Sequence, residues 1–449
     1  MGTEQKAGLV FFGRTRPGFD EEWGAAMSAR VRSSTAARSW EAYPCPTRAV
    51  DDKTVRKAIR ECRAEGCDTL VVLQTTMSDG RLAPVLFQQW AGPIVLWATP
   101  EKPDGDLVSS CSLVGTHLFA SLAARFDVPF EVVSGAPDDE KTMAEIDRSV
   151  RSTAAVSRLG SAKVGLIGYH APGFINMHAD PTVVSRYLGA ELYHTGQQDL
   201  LNAMEALDEN AVDDDLAATI GLGLPIVDMD PAELKTQSRY YLAIKEMMET
   251  ESLDALALRC WPELPNLTGQ WPYLALVRLT DEGYNVTMEG DVDGALGMLL
   301  MRNLAIEPGF LTDWLEHDAT TITTWHGGGT PACLAEPQGS EHGRSIARHF
   351  NSNKPAVVDG WVAPDQPVTI MRIWSSPDGY RLMAREGNTA APTRHLRGTN
   401  GVVELDGDNA HDLFDLCCHA GMPHHLTVAP GHHARTLVKA ARVLGMKTI

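Results

Sequence analysis

Short apolar runs alternate with amphipathic stretches through the first third of the chain. Runs at 7–12, 69–74, 93–99 and 130–133 have the continuous apolar character of strands buried on both faces of a parallel sheet. Between them, 21–31, 53–65, 81–90 and 113–125 carry helix-type periodicity. The alternation predicts a doubly wound α/β domain. A long, mostly polar helix at 138–159 bridges to a second series, which opens with the strand 163–167 and the loop Gly168-Tyr-His-Ala-Pro-Gly-Phe174. Helices near 181–188, 199–207 and 231–249 follow, with a strand at 255–258. In α/β folds the loops leaving the carboxyl ends of parallel strands hold the ligands, which directs attention to the chain after Ile167, Leu258 and Thr287.

From about Asn351 the texture changes. Segments 356–358, 368–374, 380–384 and 401–405 are β-prone and separated by Pro, Gly and Asp turns, the pattern of antiparallel strands in a small barrel. Helices near 410–420 and 432–444 flank the run Met422-Pro-His-His-Leu426. A chain of 449 residues exceeds one hydrophobic core. Three domains are expected: 1–155 and 156–345, both α/β, the second carrying the metal-ligand acids, then a β-rich, barrel-like domain at 346–449.

Charge and cysteine content narrow the function. The formal net charge is −19 and no basic stripe interleaves with aromatics, which argues against a nucleic-acid partner. No apolar run has the length of a bilayer span and the N-terminus lacks a signal-type apolar core, so no membrane partner is expected. The eight cysteines form no C-x-x-C pair and read as reduced thiols of a cytoplasmic protein. Gly13-Arg-Thr-Arg-Pro-Gly18 lacks the glycine spacing of a nicotinamide site.

Three clusters of metal-capable side chains remain. Met288-Glu-Gly-Asp-Val-Asp-Gly294 follows a short apolar run and precedes a helix at 295–304, putting Glu289 at a strand's carboxyl end. Asp291 and Asp293 are equally explained as acids favoured by the positive end of that helix. Asp313 lies beyond the apolar pair Phe310-Leu311, at a strand end and partly buried, where a carboxylate needs a cation or donors. His326 precedes three glycines, so its strand ends in a loop that a ligand can approach closely. The third cluster is His424-His425; His432-His433 reads as a solvent-facing start to the last helix. Two carboxylates with two imidazoles suit Mn²⁺, Mg²⁺, Co²⁺ or Fe²⁺ better than structural zinc. Spacing alone leaves open whether these residues converge.

At these residues the chain resembles the L-fucose isomerase and L-arabinose isomerase superfamily. The likeness rests on Glu289-Gly-Asp-Val-Asp-Gly-Ala-Leu-Gly-Met298, on Asp313 24 positions after Glu289, on Trp325-His326-Gly327, and on His424-His425-Leu426-Thr427-Val428. Aspartate rather than glutamate at the second acid favours the fucose side. Cys111-Ser-Leu-Val-Gly115 stands where arabinose isomerases carry a substrate-binding Asn-Gln-Ser-Ala-His segment, so arabinose is not the expected substrate. The resemblance implies two Rossmann-like doubly wound α/β domains and a C-terminal β-rich, barrel-like domain, in a homo-oligomer (hexamer or trimer).

It also implies an aldose–ketose isomerase using a divalent metal, Mn²⁺ first, with Mg²⁺ or Co²⁺ as alternatives. Glu289 and Asp313 become metal ligands and the acid/base pair, His425 completes the coordination, and His326 ligates or touches substrate. A cation near both substrate oxygens stabilises charge that develops as a proton leaves the adjoining carbon. His424 joins the substrate contacts, with Phe174, Trp261 and Trp314 as walls for a sugar's apolar face. Arg14 and Arg16 in the loop after the first strand could fork onto an anionic substituent, making sulfoquinovose an alternative to a deoxy sugar. Competing readings are a non-catalytic sugar-binding or sensor protein and a metal-dependent sugar hydrolase or lyase.

Overall fold

The computed structural model describes residues 5–14, 18–307 and 309–449. They form two compact units, one running to Arg158 and including Arg435–Gly445, the other comprising Leu159–Ala434 and Met446–Ile449.

The first unit holds a parallel sheet in the order Glu41–Pro44, Lys6–Phe12, Thr69–Gln74, Ile94–Ala98, Phe130–Ser134. The side-chain period of two divides the apolar residues between the faces. Val10, Phe12, Leu70, Val72, Ile94 and Leu96 pack with Ile59, Leu86 and Phe119 in one cluster. Leu9, Phe11, Val71, Leu73, Val95 and Trp97 pack with Val31, Ile146 and Val150 in another. Continuous apolar runs are what a strand buried on both sides requires, so the α/β expectation holds here. The helix Ala434–Val443 joins this unit through Lys439, whose amine meets Glu131 at 2.6 Å and Glu145 at 2.7 Å.

The second unit opens with a parallel sheet in the order Glu191–Thr195, Lys163–Ile167, Ala255–Leu258, Asn285–Thr287. Several helices, Glu209–Gly221 among them, escape the sequence reading or start earlier than it expects. Tyr273–Asp281 is buried from Tyr273 through Thr280 and so has no polar face to betray a period. Val292–Asn303 begins three residues before the expected start because Asp291 caps it, accepting from Gly294 N at 2.9 Å.

Six antiparallel strands of this unit then close on themselves: Phe310–His317, His425–Pro430, Pro367–Ser376, Gly379–Ala390, Thr399–Leu405 and Thr321–His326, which pairs back to the first. The expected barrel is present, with Phe310, Ile322, Ile370, Val403, Leu426 and Val428 in a common core. Its strands at 310–326 come from chain that the sequence reading grouped with the second α/β series. Threonine at three of the six positions of Thr321–His326 hides their alternation of half-buried and buried sites. Among the described residues no helix is long and apolar enough to cross a membrane.

Candidate metal centre

The carboxyl ends of the second unit's parallel strands build one side of the site. After Asn285–Thr287 the chain turns sharply, with φ of +62° at Glu289 and +70° at Gly290. A left-handed conformation costs a non-glycine residue about 1–2 kcal/mol and persists only where its surroundings impose it. Here Glu289 O accepts from Ala171 N at 2.8 Å, Gly290 N donates to Leu258 O at 3.0 Å, and Glu289 N donates to Cys260 Sγ at 3.3 Å. Gly290 must be glycine, since a Cβ there would lie 2.1 Å from Tyr169 O.

The barrel builds the other side. Asp313 is in register with His425 on one neighbouring strand and with Trp325 on the other. It therefore lies within its strand rather than at the end. His425 opens its strand and His326 ends another.

The two sides meet at His425. Its Nε2 lies 3.2 Å from Glu289 Oε2 and 3.6 Å from Asp313 Oδ1, is buried, and has no hydrogen-bond partner. Its Nδ1 lies 2.8 Å from Asp291 Oδ2, and Arg372 clamps Asp291 with contacts of 2.5 and 2.9 Å. His424 Nε2 is 3.8 Å from Asp313 Oδ1, with its ring 4.9 Å from that of Phe174. Burial works against a charged His425, but Asp291 and Glu289 outweigh it and raise the ring to about 9. Burial likewise pushes Glu289 up, and His425 and His326 overcome it, leaving about 2. Asp291 is held below the ordinary carboxylate range: burial opposes ionisation, and Arg372 with His425 prevails. His424 is lowered by burial and by its neighbour His425.

This donor set fits a divalent cation. An orphaned imidazole nitrogen faces two carboxylates, an arrangement that calls for positive charge between them. Glu289, His424 and His425 can each offer a ligand atom within 4.8 Å of the others, and Asp313 adjoins both histidines. A nitrogen and oxygen set of this kind suits Mn²⁺, Mg²⁺ or Co²⁺.

Beside the centre lies a cavity of about 200 Å³ that includes Glu289, Asp313 and His326 in its lining. His326 is 4% exposed, its ring is 5.8 Å from that of His425, and its Nδ1 has no partner. Trp261 is both a wall and a donor, its Nε1 reaching Glu289 Oε1 at 2.8 Å. Phe174 packs edge-on to Trp261 at 5.8 Å. Trp314 stands elsewhere, hydrogen-bonded to His317 and packed on Phe414 at 5.3 Å; Trp325, its neighbour on the adjoining strand, lines the cavity instead. Arg14 belongs to the first unit, where its guanidinium is 3.8 Å from Asp79, and Arg16 lies outside the described residues. Sequence reasoning missed the cavity walls Trp271, Tyr273, Trp325, His349 and Phe350. They come from separate elements and share no local spacing.

No family model matches the chain. It is 27% identical over 386 residues to a sulfoquinovose isomerase of Priestia aryabhattai, covering 85% of each chain. A sulfoquinovose isomerase of Clostridium sp. (strain MSTE9) is also 27% identical, over 390 residues, covering 85% of this chain and 86% of its own. L-arabinose isomerase 1 of Bacillus licheniformis is 23% identical over 275 residues, 59% of this chain and 55% of its own. Across most of its length the chain is thus similar to sulfoquinovose isomerases, and over a shorter span to L-arabinose isomerases.

Proposed function

We propose that this protein is a divalent-metal-dependent aldose–ketose isomerase whose substrate is sulfoquinovose. The observation that carries the reading is His425 Nε2, buried and unpartnered between the carboxylates of Glu289 and Asp313. Aldose–ketose isomerisation moves a proton between neighbouring carbons, a task for a positioned base beside a charge that stabilises the developing oxyanion. The ion, when bound, supplies that positive charge. Glu289, Asp313 and His425 would hold it, with His424 as a further donor and Mn²⁺ as the preferred metal.

The two acids divide the work. Glu289 has one oxygen committed to the Trp261 indole and the other turned to His425. Asp313 lines the cavity with the imidazole nitrogens of His425 and His424 3.6 and 3.8 Å away, so it is the acid assigned to carry the proton. His326 completes the substrate contacts through its unpartnered Nδ1. Aromatic walls from Trp261, Tyr273 and Trp325 suit the apolar face of a sugar ring.

Support for sulfoquinovose comes from the relatives that carry that name across 85% of this chain. No Lys or Arg stands among the described residues lining the cavity, so the sulfonate finds its cation beyond that lining. The fucose-side placement rests on Asp313. Cytoplasmic operation and a homo-oligomer (hexamer or trimer) complete the proposal.

The test is a panel of sulfoquinovose, L-fucose and L-arabinose, offered to metal-stripped protein before and after Mn²⁺ is restored. Ketose formation from sulfoquinovose is expected only with metal. Turnover of the uncharged sugars alone would overturn the substrate assignment.

A further inference from the structure

We infer that Asp291 and Arg372 act together as the positioning pair for the metal-binding histidine. They fix the His425 ring in one orientation and one tautomer, with Nδ1 carrying the hydrogen and Nε2 presented to the ion. The inference rests on the proposed metal centre and names residues that do not themselves reach the cavity.

Four observations carry it. First, Asp291 is fully buried, and its Oδ2 lies 2.8 Å from His425 Nδ1; a carboxylate there admits only a hydrogen on that nitrogen. Second, Asp291 cannot swing. Its backbone starts the helix Val292–Asn303, its Oδ1 accepts from Gly294 N at 2.9 Å, and the Arg372 fork takes both carboxylate oxygens. Third, Arg372 is 1% exposed in the strand Pro367–Ser376, among apolar neighbours. Burial of a guanidinium is expensive, and an arginine kept there without substrate contact must be matched by a charge of its own. Fourth, Asp293, two residues further on, bonds to Tyr380 Oη and Ser375 N instead, at 2.9 and 3.1 Å. The helix end alone therefore does not explain Asp291: of two buried acids in the same turn, one faces the histidine and one does not.

The pair divides two jobs. Asp291 orients the imidazole, and the Arg372 fork holds the Asp291 carboxylate aimed at it. Hydrogen-bond partners behind metal ligands typically change metal affinity by about 10- to 100-fold when removed. The experiment compares wild type, Asp291→Asn, Arg372→Lys and Asp293→Asn as full-length protein. Mn²⁺ affinity is measured by titration of stripped protein, folding by circular dichroism, and ligand geometry by the visible spectrum of the Co²⁺ form.

Asp291→Asn is expected to weaken Mn²⁺ binding about 10- to 100-fold and to shift the Co²⁺ bands. With metal saturating, the sugar KM should stay within about threefold of wild type, because Asp291 meets no substrate. Arg372→Lys keeps the buried charge but loses the fork, and is expected to weaken Mn²⁺ several-fold. Asp293→Asn should leave Mn²⁺ affinity unchanged. A folded Asp291→Asn binding Mn²⁺ as tightly as wild type would overturn the inference. Should that variant not fold, unchanged Mn²⁺ affinity in Arg372→Lys overturns it equally. A wild type that binds no Mn²⁺ would sink the metal reading itself, which the same titration reveals separately.

Discussion

Gly290→Ala tests whether the turn holding Glu289 sets the geometry of the centre. The added Cβ would stand 2.1 Å from Tyr169 O and 2.8 Å from both Tyr169 C and His170 Cα. All three are backbone atoms, so no side chain can rotate out of the way. A relaxed carbon–oxygen contact needs about 3.3 Å, so the turn or the loop opposite must retreat by roughly 1 Å. Alanine at φ +70° adds about 1 kcal/mol, and the overpacking adds about 1–3 kcal/mol, giving about 2–4 kcal/mol of lost stability. Glu289 is the adjoining residue and moves with the turn. A misplacement of about 1 Å costs on the order of 100-fold in rate, close to 3 kcal/mol of barrier. The assay is a denaturant melt together with kcat/KM at saturating metal. Gly269→Ala is the control, because its φ is +78° but nothing lies within 4 Å of its added carbon. Equal losses in the two variants, in both stability and kcat/KM, would refute the reasoning.

Other perturbations separate chemistry from scaffold. Glu289→Gln and Asp313→Asn should each abolish turnover, by at least about 1000-fold, while circular dichroism and melting stay near wild type; full activity in either removes that acid from the mechanism. His349, 3% exposed and stacked 3.9 Å from Trp271, is held at about 4 chiefly by burial. The unfolded chain protonates it near 6.5 and the folded chain only near 4, so its contribution is present above 6.5 and lost as pH falls toward 4. That amounts to about 3 kcal/mol. His349→Phe should flatten the acid limb of stability against pH; an unchanged limb contradicts the assignment.

Legibility followed chemistry. Glu289, Asp313, His326 and His424-His425 stood out because few side-chain types hold a hard cation, and the structure gathers all of them about one cavity wall. Asp291 was legible only as a helix cap, which it is, while its second task needed the barrel strand opposite. One signal was available: Arg372 interrupts the apolar run Val368-Thr-Ile-Met371, and a charge in a buried strand demands an acid partner. The helix Tyr273–Asp281 left no trace because every face but its end is buried. Trp271 and His349 stack across 78 positions, a pairing made by tertiary packing and invisible to periodicity. Trp325 rather than Trp314 lines the cavity although they sit on adjoining strands, because the strand pairing, not the residue type, decides which ring meets it.

Proton movement that needs a metal is what the proposed centre must produce. Metal-stripped protein is incubated with sulfoquinovose in deuterated water, Mn²⁺ is added, and the sugar is followed by proton NMR. Ketose should appear only after the ion is added, with deuterium entering at the carbon that exchanges its hydrogen. Equal turnover in stripped and restored protein, or metal binding with no isomerisation of any sugar, would contradict it.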